Sequence, residues 1–193
     1  MIRNDRRGGF VMPDLLVAGS IAVLLVAMAV GAARFSEETT QHLLACKMHG
    51  TLLTGLEQYF AEHQSYPVPA QPEMSARFDG KDIRIGGAAA LYQALHNDGN
   101  DLLNRADPVK SPSDGKSDTR PDGTAVSWID FDGEVFTPMS QTVAGYHVLV
   151  DAYGRPFQYE PAAPGKTMNQ TYDCWSYGKA GDDDTGTDMA LKK

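Results

Sequence analysis

The sequence predicts an α+β protein in which one long N-terminal helix precedes a small antiparallel sheet at the C-terminal end. Three observations support this class. Residues 15–33 form a run of 19 residues without a charge. Apolar side chains then recur at helical spacing as far as residue 59, and short β-favouring segments alternate with turns after residue 145. The 193 residues leave room for one further domain of about 100–150 residues beside the helix.

The apolar run at 15–33 has the length of a membrane-spanning helix. At about 1.5 Å rise per residue it is just long enough to cross a hydrocarbon layer of about 30 Å. Ahead of it, Arg3, Arg6 and Arg7 stand against the single acid Asp5. An excess of positive charge beside an apolar span keeps that end in the cytoplasm. We therefore expect a single-pass protein whose remaining residues lie on the outer side of the membrane.

The residues around Gly9 and Phe10 suggest a processing site. A secretory signal peptide is cut after its apolar run, whereas here a Gly-Gly-Phe junction stands before the run, with Asp14 four residues beyond Phe10. This order resembles the class III signal of type IV pilins and of the pseudopilins of type II secretion systems. The resemblance implies that a prepilin peptidase removes residues 1–9 as a leader after Gly9 and methylates Phe10. Residues 10–33 would then form the helix that lies in the membrane and later in the filament core.

Asp14 stands where the family has a glutamate. Pro13 precedes it, and the first turn of a helix tolerates proline because its N–H groups have no intrahelical partner. A charged side chain at membrane depth costs a few kcal/mol unless it finds a partner. The resemblance implies that Asp14 pairs with the free amine of Phe10 in a neighbouring subunit. That Asp14 is only the polar boundary of an ordinary anchor is the open alternative.

Residues 34–66 are predicted to continue the helix as an amphipathic segment. One face carries apolar residues at steps of four, four, four and three: Leu44, Met48, Leu52, Leu56 and Tyr59. The helix is expected to end near residue 62, because Pro67 disfavours helix at Tyr66. Residues 15–62 would then span roughly 70 Å. One long helix whose second half lies against a small sheet resembles the fold of pilins and pseudopilins. The segment at 56–67, which ends with Tyr66-Pro67, also resembles the corresponding pseudopilin segment.

Residues 67–193 are predicted to form a globular domain that begins with a variable loop region at 67–137. Ile83 and Ile85 alternate with polar residues as in a short strand, and residues 87–95 resemble a short helix. Residues 96–101 have the composition of a turn. Their acids lack the EF-hand pattern, so a cation site there is the weaker interpretation. Residues 107–122 are polar and rich in Pro, Ser, Gly and Asp, as in a mobile surface loop.

Residues 138–193 are predicted to form a C-terminal sheet followed by an acidic loop. Strands are expected at 146–150, 157–160 and 172–177, with a turn at 151–156. The strand, the Asp-x-x-Gly-x-Pro turn and the later Tyr-Asp and Ser-x-Gly elements resemble the C-terminal sheet of the major pseudopilin of type II secretion. The implied fold is type IV pilin-like.

The acidic loop at 178–188 carries four carboxylates within seven residues, at 182, 183, 184 and 188. Calcium suits such a loop because it accepts six to eight oxygen ligands from carboxylates and backbone carbonyls. The resemblance implies one calcium ion held by Asp182, Asp184 and Asp188 with carbonyls near Tyr177 and Gly178. Residue 180, where the family often has an acid, is alanine. A solvated acidic tail is the alternative.

Cys46 and Cys174 are the two cysteines of the chain. Beyond the cytoplasmic membrane such a pair can persist as a disulfide, which would tie the helix to the last strand. Two buried free thiols are the alternative. Because the two lie far apart in sequence, they cannot form the C-terminal disulfide loop that many pilins have.

The remaining patterns argue against an enzyme and against nucleic-acid binding. The five histidines form no His-x-x-x-His pair or other zinc spacing. The chain has no Gly-x-Ser-x-Gly elbow, P-loop or dinucleotide fingerprint. Its net charge of −8 disfavours phosphate contacts.

The sequence therefore predicts a pseudopilin-like structural subunit in the bacterial inner membrane, with its C-terminal domain in the periplasm. Its expected partners are copies of itself, other pseudopilins, the inner-membrane secretion platform and the prepilin peptidase. A type IV pilin that serves adhesion, motility or DNA uptake is the first alternative. A membrane-anchored periplasmic enzyme or binding domain is the second.

Overall fold

A computed structural model describes residues 12–78, 80–105, 110–119, 127–129, 139–163 and 167–178. Within the first helix, the side chains of residues 12–15, 33 and 38 are outside that description. Contacts divide the chain into two compact units, Met1–Thr40 and Gln41–Lys193. The fold is α+β, with one long N-terminal helix and small antiparallel sheets.

Helix α1 is 52 residues long and spans Met12–His63. It ends at Gln64, which adopts a left-handed conformation with φ of 55° and whose N–H donates to the Phe60 carbonyl at 2.7 Å. A left-handed residue just past the last turn is a common helix stop. The predicted end near residue 62 is confirmed within one residue, whereas the segment assigned to residues 34–66 is helical only to His63.

In the unit Gln41–Lys193, the apolar face of α1 forms part of the core. Met48, Leu52 and Leu56 are fully buried and Tyr59 is almost so, whereas Leu44 is half-buried. Their core partners come from the second helix and the last strands and include Leu91, Leu95, Phe157 and Tyr159. The predicted helical face is therefore confirmed for the four residues from Met48 to Tyr59.

Helix α2 spans Gly86–His96 and confirms the helix predicted at 87–95. Leu91 and Leu95 are fully buried and Tyr92 nearly so. A Cβ placed on Gly87 would lie 2.7 Å from the backbone carbonyl oxygen of Tyr159. A glycine at position 87 therefore allows α2 to pack directly on the backbone of the strand that contains Tyr159.

Within the described ranges, six strands form three separate two-stranded antiparallel sheets instead of the single C-terminal sheet that the sequence predicts. The pairs are β1 (Ser75–Phe78) with β2 (Lys81–Arg84), β3 (Ser140–Val143) with β4 (Tyr146–Leu149), and β5 (Gln158–Pro161) with β6 (Tyr172–Trp175). The segments predicted to be strands correspond to β2, β4, β5 and β6, while β1 and β3 were not predicted. Both have a polar, half-exposed pattern that carries little strand signal.

Strands β4 and β5 meet at the turn that joins them. An isolated bridge joins Val150 and Pro156, and the Phe157 N–H donates to the Leu149 carbonyl at 3.0 Å. On the other side of this bridge, the Asp151 N–H donates to the Arg155 carbonyl at 2.8 Å. The two hairpins therefore meet in a short contact around the turn.

The turn after α2 binds part of the segment at 107–122, which its composition predicts to be a mobile surface loop. Asp98 is buried, and its carboxylate accepts the backbone N–H groups of Asp114 at 2.9 Å and Gly115 at 2.8 Å. It also accepts the hydroxyl of Ser113. The described part of the loop, residues 110–119, is thus tied to the domain. The Asp98 carboxylate contacts protein donors, which favours the turn over the cation site.

Candidate functional site

Most of the predicted site residues lie outside the described part of the chain. This applies to Gly9 and Phe10 at the processing site, and to Asp182, Asp184 and Asp188 in the acidic loop. Asp14 is in α1, but its side chain is not described. Processing, subunit register and the calcium site therefore stay predictions. Two described regions of the chain lie next to these sites in the sequence.

The first of these regions is the apolar part of α1. The helix is long and apolar enough to cross a membrane, a test that a signal sequence or the core helix of a soluble protein also passes. Here none of the apolar window is buried against other described residues. The exposed fraction of its large side chains runs from 49% at Val30 to 73% at Leu16.

These exposed side chains surround the helix instead of forming one stripe. Four consecutive residues, Val23 to Val26, are all more than half exposed. Nine large apolar side chains between Leu16 and Val30 are exposed. Burying each is worth roughly 1.5–3 kcal/mol, which makes a total of at most about 14–27 kcal/mol. This segment therefore favours an apolar environment on every side.

The second region is a buried hydrogen-bond network where the described chain ends, just before the acidic loop. Asp151 is buried at the start of the turn between β4 and β5, and its Oδ1 accepts the N–H groups of Tyr153 at 2.8 Å and Arg155 at 2.9 Å. Its Oδ2 accepts the hydroxyl of Ser176, which lies just after β6. Burial raises the pKa of Asp151 above its ordinary value, and the hydrogen bonds oppose that shift.

The Asp151 network continues to the last described residue, Gly178. The Gly178 N–H donates to the Ser176 hydroxyl oxygen at 2.9 Å, and the Arg155 guanidinium donates to the Gly178 carbonyl. The Asp-x-x-Gly-x-Pro turn thus holds both ends of the Ser-x-Gly segment. The Gly178 carbonyl, one of the predicted calcium ligands, accepts a hydrogen bond from a cationic side chain in this structure.

The end of α1 is joined to the last strands through tyrosines. The hydroxyl of Tyr66 donates to the Glu57 carboxylate at 3.2 Å and that of Tyr172 at 3.4 Å. The hydroxyl of Tyr159 donates to the Pro67 carbonyl at 2.8 Å. The segment at 56–67 therefore connects α1 to β5 and β6 through polar contacts. From the sequence, only its apolar side chains were expected to face the domain.

Both cysteines are free thiols in the structure, so the disulfide considered from the sequence is not formed there. Cys174 is buried, and burial raises the pKa of its thiol to about 12. Cys46 is half-buried rather than buried. Helix α1 is instead tied to β6 by His49, whose Nε2 lies 3.2 Å from the Cys174 carbonyl oxygen. Burial lowers the pKa of His49, which favours the neutral ring that donates this hydrogen bond.

A cleft of about 180 Å³ lies between β2 and β5. Its walls include Gly87, Trp175 and an ion pair in which Arg84 Nη1 lies 2.9 Å from Glu160 Oε1. Both charges are therefore used within the wall. Among the described residues, no group of three or more His, Cys, Asp or Glu side chains is arranged to hold a metal ion.

Sequence reasoning missed one pair of ligand-type side chains. His42 Nδ1 and Cys46 Sγ lie 3.6 Å apart on neighbouring turns of α1. A search for paired histidines does not find them, whereas a His-x-x-x-Cys spacing would have. Comparisons of the chain with protein families, with curated proteins and with solved structures find no match. The function is therefore inferred from the sequence pattern and the site geometry.

Proposed function

We propose that this protein is a pseudopilin-like structural subunit, anchored in the bacterial inner membrane and assembled into a periplasmic filament that drives protein export by a type II secretion system. Its mechanism is assembly without catalysis. The apolar helices bundle as the filament core, Asp14 sets the register against a neighbouring N-terminal amine, and the globular domains cover the outside.

The single observation that carries this proposal is the exposed apolar segment of α1. Its side chains are exposed on all sides of the helix between Leu16 and Val30. A helix that is apolar all round needs a buried environment such as a bilayer or a bundle. Subunits that move from the membrane into a filament meet that requirement in both places, because lipid and then neighbouring helices cover the same residues.

The arrangement at the other end of the chain supports the same proposal. The Asp151 turn and the Ser176–Gly178 segment are joined by direct hydrogen bonds. These are the two elements whose sequence resembles the major pseudopilin, and they precede the acidic loop. We propose that one calcium ion, held by Asp182, Asp184 and Asp188, binds this loop to the domain.

Mass spectrometry of the N-terminal peptide tests the proposal. The full-length chain is expressed with and without a prepilin peptidase, and the membrane fraction is digested. We expect a chain that begins at N-methylated Phe10 only when the peptidase is present. A Gly9→Val variant should keep residues 1–9, and the matched Gly8→Ala variant should still be cut. An intact leader on the wild-type chain in both samples would refute the proposal and favour an ordinary anchor.

The role of Asp14 has a separate test. We expect Asp14→Ala to be cut normally but to lose the cross-linked multimers that the wild-type chain forms in membranes. Asp14→Glu keeps the charge that the salt bridge with the N-terminal amine needs and should restore them. Equal cross-linking of all three chains would show that Asp14 has no part in assembly.

A further inference from the structure

We propose that His42 and Cys46 form a binding site for one divalent transition-metal ion of the zinc class. The two side chains lie four residues apart on α1, so they occupy the same face on consecutive turns. His42 is exposed to solvent and Cys46 is half-buried. An ion can therefore reach both ligand atoms without unfolding the helix.

The separation of the two atoms matches that of a shared ion. With Zn–N at about 2.0–2.1 Å, Zn–S at about 2.3 Å and an angle of about 109°, two ligands of a tetrahedral zinc lie about 3.6 Å apart. The distance between His42 Nδ1 and Cys46 Sγ is 3.6 Å. The rotamers present in the structure therefore already hold both ligands at the distance that zinc requires.

The ligand chemistry selects the class of ion. Imidazole nitrogen and thiolate sulfur together favour zinc and its neighbours over calcium and magnesium, which prefer oxygen ligands. Binding converts the Cys46 thiol to a thiolate and releases its proton to solvent, with no change in oxidation state. The chain supplies two ligands, and the remaining positions on the ion are open to water on the exposed side of His42.

The neighbouring residues keep the site distinct from the other candidates. His49, one turn further along α1, is buried and bonded to the Cys174 carbonyl, so it does not join the pair. On either side of the pair, hydrogen bonds between residues four apart join a threonine hydroxyl to a backbone carbonyl. Thr39 donates to the Phe35 carbonyl and Thr51 to the Lys47 carbonyl. The His42–Cys46 contact instead joins two metal-ligating side chains.

The experiment uses the full-length chain in detergent micelles, with Co²⁺ as the probe and Ca²⁺ in excess to occupy oxygen-ligand sites such as the acidic loop. We expect a thiolate-to-cobalt charge-transfer band in the near ultraviolet, which requires a cysteine ligand. Addition of Zn²⁺ should remove the band by displacement. Because the readout reports a sulfur ligand, its outcome is independent of leader processing and of filament assembly.

Variants assign the site. Cys46→Ser should abolish the band, and His42→Ala should weaken Co²⁺ binding at least about tenfold, because two ligands on one helix act as a linked pair. The controls are Cys174→Ser, which removes the buried thiol, and His63→Ala, which removes a histidine of the same helix that has no cysteine four residues away. Both should keep the band. If the wild-type chain shows no band, or if Cys46→Ser keeps it, the contact is only a hydrogen bond and the proposal is wrong.

Discussion

Replacement of Asp151 by alanine is expected to destabilise the globular unit more than the loss of one exposed carboxylate would. The substitution leaves three donors without their acceptor: the N–H groups of Tyr153 and Arg155 and the hydroxyl of Ser176. A hydrogen bond to a charged group contributes about 1.5–3 kcal/mol. Removal of a buried carboxylate also removes its desolvation cost. We therefore expect a net loss of about 2–4 kcal/mol in the free energy of unfolding.

Asp151→Asn is the matched comparison. The asparagine carbonyl oxygen can still accept the N–H groups of Tyr153 and Arg155, and its amide can donate to the Ser176 hydroxyl oxygen. We expect it to lose less than about half as much stability as Asp151→Ala. Asp82→Asn, at an exposed position of β2, should change stability by less than about 0.5 kcal/mol.

The assay is urea unfolding of a soluble fragment that begins near Arg34, followed by tryptophan fluorescence. The wild-type fragment must first unfold cooperatively, and the slope of free energy against urea should be the same for all variants, since only then does the midpoint report stability. Equal midpoints for Asp151→Ala and Asp151→Asn would refute the reasoning, because the acceptor oxygens would then contribute nothing.

The pH dependence gives a second test of the same residue. Because burial raises the pKa of Asp151 in the folded state, the folded protein binds this proton more tightly than the unfolded chain does. The part of the stability that comes from this proton is fully present below about pH 3.9 and is lost as the pH rises through the raised value, while the hydrogen bonds from Tyr153 and Arg155 remain. Asparagine does not titrate. The stability of the wild-type fragment relative to Asp151→Asn should therefore fall as the pH rises across this window.

Three further predictions concern the acidic loop, the helical glycines and His49. The Arg34 fragment should melt at a higher temperature in Ca²⁺ than in chelator, because an ion that binds only the folded state stabilises it; equal melting temperatures would remove the calcium site. Gly87→Ala should destabilise the fragment because the new Cβ meets a backbone carbonyl, whereas Gly50→Ala, in open space within α1, should stabilise it by about 0.5–1 kcal/mol; the same sign for both in urea unfolding would contradict this packing. Burial lowers the pKa of His49, so its contribution to stability is present above about pH 6.5 and is lost as the pH falls towards the depressed value. His49→Gln should reduce the slope of stability against pH in that range, and an unchanged slope would show that His49 titrates normally.

Local signals in the sequence were sufficient to predict the helices and the main turn. The apolar run and the spacing from Met48 to Tyr59 predict α1, because a helical face depends on residues three and four apart. Its end was predicted near residue 62 from Pro67, because proline restricts the residue before it, and α1 ends at His63. Helix α2 and the Asp151 turn were predicted for similar reasons, since their determinants lie within a few residues of one another.

The missed strands depended on partners that the sequence does not specify. Strand β3 has a polar, half-exposed pattern and is stabilised mainly by its pairing with β4. Past the turn between β4 and β5, β4 pairs with β3 and β5 pairs with β6, which gives separate hairpins. Periodicity predicts where strands lie but not which strands pair. One continuous sheet and three separate hairpins therefore give the same periodic pattern in the sequence.

The sequence by itself determined the parts of this protein whose physics is local: an exposed apolar helix near the N-terminus, its amphipathic continuation, and an acidic segment at the C-terminal end. Only the tertiary structure decided which polar groups are buried and what they bind. Asp98, Asp151 and His49 look like ordinary surface residues in the sequence. Each is buried because a distant segment supplies its hydrogen-bond partner, and a buried polar group is stable only when such a partner is present.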